Sequence, residues 1–198
     1  MSERCGWASS SPLMIEYHDT EWGFAVTDDR HLFEKICLEG FQSGLSWATI
    51  LNKRADFRRA FADFEPDRVA RFGRRDVERL LADASIVRHR GKIESAINNA
   101  GRVADLVDEF GSLAAYVWRF EPDRASRSAA PTAAEVASFV TSPESTALSK
   151  DLKKRGWSFV GPTTMYAFMQ SMGLVNDHHV GCDVREAAER SRREMRRN

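Results

Sequence analysis

The segment of residues 32–51, LFEKICLEGFQSGLSWATIL, constrains the fold more than any other part of the chain. Its apolar residues recur every three to four positions, which is the spacing of the buried face of a helix. Residues 42–44 predict a turn, and a second apolar helix face begins at Trp47. Glu39 lies between these core-forming segments, where burying a carboxylate is costly unless another group pairs with it. Glu39 is therefore a candidate functional acid, and the alternative is a solvated glutamate at a helix end.

The rest of the chain also predicts helices, and no segment shows the convincing polar–apolar alternation of a β-strand. The predicted helices cover approximately residues 47–61, 66–72, 75–83, 91–110, 113–120, 142–155 and 165–172. A proline- and alanine-rich loop with at most a short helix is expected at 121–141. The expected fold is all-α, a compact helical bundle with one domain of two closely packed lobes at 1–183. A basic C-terminal tail at 184–198 is expected to be a solvated terminal helix.

Composition limits the function classes. The chain has 198 residues, of which 42% are hydrophobic and 29% charged, as in an ordinary globular protein. Its formal net charge is +0, so an anionic partner would have to bind local clusters of lysine and arginine. No apolar run is long enough to span a bilayer, and the N-terminal MSERCGWASS lacks the apolar core of a signal peptide. We therefore expect a cytoplasmic protein.

Cysteine and histidine residues near the two ends of the chain form a candidate metal site. Cys5 and His18 lie near the N-terminus, whereas His178 and Cys182 lie near the C-terminus. Together they would make a closed tetrahedral zinc site, which is structural because no position remains for water or substrate. The spacing from Cys5 to His18 is longer than in usual zinc clusters, and His179 is an alternative ligand to His178.

Two basic segments next to helix starts are candidates for contact with an anionic polymer. In residues 156–164, glycines flank an apolar pair, and hydroxyl residues follow at the start of a helix. Such a turn presents backbone N–H groups to a phosphate oxygen. The basic residues involved are Lys150, Lys153, Lys154 and Arg155 upstream of this turn, and Arg88, His89, Arg90 and Lys92 in the second segment. Each segment alone is more commonly a plain solvated turn, but the two together favour DNA.

A series of short motifs extends from Glu3 to Cys182, over nearly the whole chain. In order, they are ERCGW, YHDTEWG, ICLEG with GLSW, IVRHRGKI, ALSKDLKKRGWSFVG and NDHHVGC. In their order and spacing, these motifs resemble those of the DNA-3-methyladenine glycosylase I family. The resemblance implies an all-helical member of the helix-hairpin-helix glycosylase superfamily. It also implies an enzyme that removes 3-methyladenine from double-stranded alkylated DNA in base-excision repair.

The resemblance further implies roles for individual residues. The residues that match the family's base-binding pocket are Glu39, Tyr17, Trp22 and Trp47, with Trp7 nearby. Those that match its structural zinc ligands are Cys5, His18, His178 and Cys182. The hairpin that contacts the DNA backbone corresponds to 156–164, including Gly156, Gly161, Thr163 and Thr164. The chain departs from the pattern at Met14, where a tyrosine is common, and at Phe41, where a polar residue is usual.

These residue types suit the chemistry that the resemblance implies. 3-Methyladenine in DNA is positively charged, so its glycosidic bond is weakened and a strong general acid is not needed. The pocket must hold the flipped base and distinguish it from adenine. The rings of Tyr17, Trp22 and Trp47 would favour a cationic base by about 0.5–2 kcal/mol per contact. Glu39 would accept hydrogen bonds from the base and stabilise its charge, and that it also orients water is a second hypothesis.

No Schiff-base lysine is evident in the pocket motifs, which favours water as the nucleophile and a monofunctional enzyme. Two other classes fit the same residues: a zinc-stabilised DNA-binding module without activity, and a hydrolytic zinc enzyme with an open coordination position. A third alternative is a family member whose substrate range has changed through Met14 and Phe41. Leu45 is a candidate for the residue that fills the gap left by the flipped base, and we expect a monomer.

Overall fold

The chain is helical throughout the part that the structure describes. The computed structural model covers residues 3–195 and contains no β-strand within them, which confirms the all-α prediction. The helices are α1 (Pro12–Thr20), α2 (Asp29–Gln42), α3 (Trp47–Asn52), α4 (Arg54–Ala60), α5 (Pro66–Val69), α6 (Arg74–Ala82), α7 (Arg90–Phe110), α8 (Leu113–Val117), α9 (Ala133–Ser138), α10 (Pro143–Lys154), α11 (Pro162–Ser171) and α12 (Arg185–Met195). Over the same residues, no helix is both long enough and apolar enough to cross a membrane.

Side-chain caps explain where several helices begin. The Asp28 carboxylate accepts a hydrogen bond from the backbone N–H of His31 at the start of α2, and the Ser46 hydroxyl caps α3. Ser142 caps α10, and Pro143 occupies its first turn. The helix predicted at 47–61 is instead two helices, because Lys53 leaves the helical conformation with φ −98° and ψ 0°.

Helix α2 is the central element of the fold. It contacts α3, α7, α8 and α11, and its residues are buried from Leu32 to Phe41. Phe41 packs against Phe57 and Phe61, with ring centroids 4.6 Å and 5.6 Å away, so its side chain belongs to the hydrophobic core. Full burial of a side chain of this size contributes about 1.5–3 kcal/mol to stability. This core holds the last turn of α2, and with it Glu39, in a fixed position.

The C-terminal helix α12 is packed against the rest of the protein, whereas the sequence suggested a solvated helix. Ala188 is fully buried, and Arg192 is only 6% exposed. The Arg192 guanidinium donates to the Leu174 carbonyl at 2.9 Å and pairs with Glu121 at 2.7 Å. A buried face that consists of one alanine and one arginine does not produce an apolar stripe in the sequence. Residues 196–198 of the expected tail lie outside the described part of the chain.

Candidate functional site

A cavity of about 730 Å³ lies among α1, the end of α2, the start of α3, α9 and α11. Its wall includes Glu39, Tyr17, Trp22 and Trp47, which the resemblance assigned to a base-binding pocket, and Trp7, which it placed nearby. Met14, Gln42 and Gln170 line the same cavity. Of the two departures from the family pattern, Met14 therefore faces the cavity, whereas Phe41 lies in the core.

The four aromatic side chains of the cavity form a chain of three contacts, in which Trp7 joins Tyr17 with ring centroids 6.2 Å apart at an interplanar angle of 55°. The ring centroids of Trp7 and Trp22 are 5.1 Å apart at an interplanar angle of 72°, and those of Tyr17 and Trp47 are 5.3 Å apart at 43°. Tyr17 and Trp22 are buried, whereas Trp7 is 37% exposed. Inclined rings of this kind offer both faces and edges to a flat aromatic ligand.

Glu39 is buried in the last turn of α2 and forms an ion pair with Lys35. Its Oε1 atom lies 3.0 Å from Lys35 Nζ, and both residues are at least 95% buried. The ammonium also donates to the Tyr17 hydroxyl at 2.7 Å and lies 3.3 Å from the centroid of the Trp47 ring. Burial lowers the pKa of Lys35 and raises the pKa of Tyr17, because desolvation disfavours the charged form of each group. The buried carboxylate thus has the partner that its burial requires.

Lys35 and the two glutamines of the cavity were not identified from the sequence. The only available signal for Lys35 was its position four residues before Glu39, on a helix that also carries the apolar stripe of residues 32–41. This spacing is also typical of solvated ion pairs on helix surfaces, so it does not indicate burial. Gln170 follows the aromatic and methionine residues of α11, and no local pattern marks it as a cavity residue.

Cys5, His18, His178 and Cys182 meet in one buried cluster, with their ligand atoms all within 4.8 Å of one another. Cys182 Sγ lies 3.3 Å from His178 Nδ1 and 3.5 Å from His18 Nε2, and Cys5 Sγ lies 3.7 Å from His178 Nδ1. Sulfur and nitrogen ligands on a zinc tetrahedron are separated by about 3.5 Å, given Zn–S and Zn–N bonds of roughly 2.3 Å and 2.0–2.1 Å. The cluster could therefore hold a metal ion of this size.

The outer nitrogen atoms of both imidazoles have hydrogen-bond partners. His18 Nδ1 is 2.8 Å from Asp19 Oδ1, and His178 Nε2 is 2.9 Å from the Trp22 carbonyl oxygen. These contacts leave His18 Nε2 and His178 Nδ1 for the cluster, as is usual for metal-binding histidines. His179 instead lies between the Gly181 N–H and the Arg4 carbonyl, so the structure selects His178 over His179.

A thiolate is favoured at Cys182. Hydrogen bonding with Cys5, and then with His178 and His18, lowers the pKa of Cys182 despite burial. The cluster also supports the cavity wall, because the Trp22 ring centroid lies 4.7 Å from that of His178, nearly perpendicular to it. Cys5 contributes to both the cluster and the cavity lining.

Helices α10 and α11 form a helical hairpin, with a tight turn between them. Gly156 has φ +85°, a left-handed conformation that glycine adopts without strain. Gly161 precedes α11 and provides no side-chain cap, so the first backbone N–H groups of α11, near Thr163 and Thr164, are not satisfied by a capping side chain. The turn lies against α2, because a Cβ atom on Gly40 would be 3.3 Å from that of Phe159. The hairpin is therefore packed beside the residue that follows Glu39.

The basic residues near the hairpin are not equally available. Lys150, Lys153 and Lys154 are exposed. Arg155, in contrast, pairs with Glu109 and with Asp151, so the expectation that it would serve an anionic partner is not supported. Hydrogen bonds with Glu109 and then Asp151 raise the pKa of Arg155.

The second basic segment has both exposed and structural members. Arg88 is exposed, whereas Arg90 pairs with Glu78 and Glu94. Lys92 is buried, and its ammonium donates to the carbonyl oxygens of Phe41 and Ser43. Lys92 therefore fixes the end of α2 and the turn that follows it, as expected for a cation at a helix C-terminus.

Together, the fold and the site define a helical protein with a ring-lined cavity that contains a buried carboxylate, next to a metal-binding type of cluster and a helical hairpin. A family model described as methyladenine glycosylase matches residues 7–186. The chain therefore belongs to the methyladenine glycosylase family.

Individual relatives are similar over nearly their whole length. The chain is 50% identical to DNA-3-methyladenine glycosylase 1 of Escherichia coli over 180 residues, which cover 91% of this chain and 95% of that protein. It is 42% identical to DNA-3-methyladenine glycosylase of Haemophilus influenzae over 183 residues, 92% of this chain and 97% of the relative. The fold is also similar to a solved structure of 3-methyladenine DNA glycosylase I from Staphylococcus aureus, which was determined to explain how that enzyme recognises 3-methyladenine. The TM-score is 0.84 at 32% identity, and the match covers 92% of this chain and 96% of the Staphylococcus aureus chain.

Proposed function

We propose that this protein is a monofunctional DNA-3-methyladenine glycosylase that acts on double-stranded alkylated DNA. The observation that carries the proposal is the buried Glu39 carboxylate in a cavity whose walls include Tyr17, Trp22 and Trp47. The names of relatives at 42% and 50% identity support the same activity. A structural relative that recognises 3-methyladenine supports the assignment of this base as the ligand.

In this proposal the damaged base leaves the helical stack and enters the ring-lined cavity. The methylated base is cationic in DNA, so the electron-rich rings and the negative Glu39 favour it over neutral adenine. Oε1 of Glu39 is paired with Lys35, which leaves Oε2 to accept a hydrogen bond from the base. Met14 replaces one ring of the family pocket and is expected to soften this wall.

Hydrolysis breaks the bond between the sugar C1′ and the base. The bonding electron pair moves to the base and neutralises its positive charge, while water supplies the hydroxyl group of the sugar and releases a proton. The Lys35 ammonium is not among the groups that line the cavity and is bonded to Tyr17 and Glu39, so it is not positioned as a Schiff-base nucleophile. Water is therefore the proposed nucleophile, and the DNA strand stays intact.

The DNA backbone is proposed to bind along the hairpin, through the backbone N–H groups around Gly161, Thr163 and Thr164 and through the turn at Gly156. Leu45 is 42% exposed and follows a turn next to Gln42 and Ser46, which line the cavity. This position suits a side chain that fills the space of the flipped base.

Replacing both Lys153 and Lys154 with alanine is expected to raise KM for alkylated DNA and leave kcat within about twofold. Each lost phosphate contact reduces the slope of log affinity against log salt by about 0.9, so the slope should fall by about one to two units. Excision kinetics over a range of salt concentrations measure both effects. The matched control is the double variant Arg68→Ala with Arg71→Ala, which removes two positive charges away from the hairpin. Helix α5 begins just after Glu65, which pairs with Arg30 at the start of α2, whereas the hairpin lies against the end of α2. An unchanged salt slope in the lysine variant would remove these residues from the interface.

We further propose that Cys5, His18, His178 and Cys182 hold one structural zinc ion. The support is the chemistry and spacing of the four ligand atoms and the hydrogen bonds that orient both imidazoles. Zinc would neutralise the buried thiolates and tie the two ends of the chain together beside Trp22. A catalytic metal is disfavoured because four side chains complete a tetrahedron.

The remaining proposals concern organisation. Residues 1–183 are proposed to form one domain of the helix-hairpin-helix glycosylase type, and residues 184–198 a basic extension whose helix α12 packs on it. The hairpin of α10 and α11 supports the superfamily assignment. The protein is proposed to act as a monomer in the cytoplasm.

Release of free bases from alkylated double-stranded DNA tests the function. We expect 3-methyladenine to be released in preference to 7-methylguanine and 3-methylguanine, without strand cleavage before alkaline treatment. Release of no base, combined with retained DNA binding, would indicate the non-enzymatic module instead. Release of 7-methylguanine at a comparable rate would indicate a changed substrate range, for which Met14 is the residue to restore to tyrosine.

A further inference from the structure

Lys35 is a buried cation that lies behind the wall of the cavity. The residue is 3% exposed and does not line the cavity, whereas its three neighbours Tyr17, Glu39 and Trp47 all do. A buried ammonium is costly unless all its donors are used. Here the three N–H groups of one ammonium have three partners: a hydroxyl, a carboxylate and the face of an indole ring. The contacts therefore use its full bonding capacity.

The contacts of Lys35 determine the orientation of three groups in the cavity wall: the Tyr17 hydroxyl, the Glu39 carboxylate and the Trp47 ring. An ammonium only donates, so the Tyr17 hydroxyl must accept from Lys35, and its own proton remains available to another acceptor. The ammonium lies 3.0 Å from Glu39 Oε1, and this contact restrains the position of the carboxylate at the cavity wall. The ammonium lies 3.3 Å from the centroid of the Trp47 ring and so restrains the orientation of that ring.

We propose that Lys35 is a positioning residue of the base pocket, whose ammonium orients the Glu39 carboxylate and fixes Tyr17 and Trp47 from behind. This inference rests on the proposed function. It assigns to Lys35 no contact with the base and no covalent step. Its effect on excision is transmitted through Glu39.

The charges around Lys35 identify it as the cation that compensates Glu39. The other titratable groups beside the same small space are Glu21, Arg54, His31 and Glu34. Glu21 and Arg54 pair with each other at 2.8 Å, and burial lowers the pKa of His31, which favours its neutral form. Glu34 in turn pairs with Arg58. Removal of the ammonium would leave the Glu39 carboxylate buried without a cation in contact, and burial disfavours the charged form of a carboxylate.

The test compares Lys35→Met with wild type in single-turnover excision of 3-methyladenine at different pH values. We expect the maximal rate at neutral pH to fall about 10- to 100-fold and the acid limb of the profile to move up by about one to two pH units. The rate should recover at higher pH, and KM for DNA should change less than about threefold, because the hairpin is intact.

Lys92→Met is the matched control, since Lys92 is also buried but donates to the carbonyl oxygens of Phe41 and Ser43 rather than to a carboxylate. Its removal is expected to lower thermal stability without moving the acid limb. If the role of Lys35 is purely structural, Lys35→Met should also lower thermal stability without moving the acid limb of the pH profile. A Lys35→Met profile that coincides with the wild-type profile after correction for folded fraction would overturn the proposal.

A double variant keeps the test decisive if Lys35→Met folds poorly. In Lys35→Met with Glu39→Gln, a neutral pair replaces the buried ion pair, so folding should be better than in either single variant. We expect its residual rate to be within about threefold of Glu39→Gln alone, because Lys35 acts through Glu39. An excision rate of the double variant tenfold or more below that of Glu39→Gln would overturn the proposal that Lys35 acts through Glu39. If the wild-type protein releases no base, the proposed function is wrong. If the wild-type protein is active and the Lys35 variants behave like it, only the role of Lys35 is wrong.

Discussion

Glu39→Gln is expected to reduce the single-turnover rate of 3-methyladenine excision about 30- to 150-fold. The substitution keeps the shape of the side chain but removes the negative charge that stabilises the cationic base. Hydrogen bonds to charged groups contribute roughly 2–3 kcal/mol, and each 1.36 kcal/mol corresponds to about a factor of ten in rate. The substitution also leaves the Lys35 ammonium without its carboxylate, so the free energy of unfolding should fall by about 3–5 kcal/mol. Rates must therefore be measured where the variant is folded.

Glu34→Gln is the matched control for this prediction. Glu34 is on the same helix, is 3% exposed and pairs with Arg58, but it does not line the cavity. It should lose stability while retaining excision. Equal activity of Glu39→Gln and wild type would contradict the enzyme assignment of this site and would favour a DNA-binding module whose aromatic residues serve only as core.

Removal of the proposed zinc ion is expected to lower the melting temperature by about 10–20 °C. Structural zinc contributes about 10–16 kcal/mol in zinc-finger peptides. A loss of only about 5 kcal/mol in the free energy of unfolding would lower the melting temperature by this amount, because a domain of this size loses about 2–4 °C per kcal/mol. The ion would join segments near both ends of the chain and lie beside Trp22, so its loss should also weaken binding of free 3-methyladenine. Calorimetry before and after chelation measures the first effect, and tryptophan fluorescence measures the second.

Cys182→Ser should reproduce the effect of chelation and abolish zinc retention in elemental analysis. Cys37→Ser is the control, because Cys37 is equally buried but lies in the hydrophobic core away from the ligand cluster. A metal-free preparation with undiminished stability would show that the cluster is a hydrogen-bonded thiol–imidazole group and not a zinc site.

Local patterns in the sequence were sufficient for most of the fold. The apolar spacing of α2, the helix starts at Asp28 and Ser142, and the glycines at helix ends correspond to elements that the structure contains. They succeed because helix formation depends on residues within one or two turns of one another. The break at Lys53 was missed, since the apolar stripe continues across it.

The candidate site was only partly predictable. Glu39 stood out because a carboxylate among core residues requires a partner, yet the partner itself, Lys35, has the spacing of an ordinary surface ion pair. The choice of His178 over His179 depends on the Trp22 carbonyl and on Cys5, which are far away in the chain. The sequence places Arg155 among the basic residues expected to attract an anionic partner, because its two carboxylate partners cannot be inferred from local patterns.

The sequence by itself determined the helical class, the approximate limits of the main helices and Glu39 as a candidate acid. The motifs that resemble the family supplied the aromatic residues of the cavity and the residues of the metal-type cluster. Only the tertiary structure decided that Lys35 joins Tyr17, Glu39 and Trp47, that Phe41 belongs to the core while Met14 faces the cavity, and that α12 is packed. The physical reason is that periodicity and capping are local properties, whereas the pairing of a buried charge depends on which distant side chains the packing of helices brings within a few ångströms.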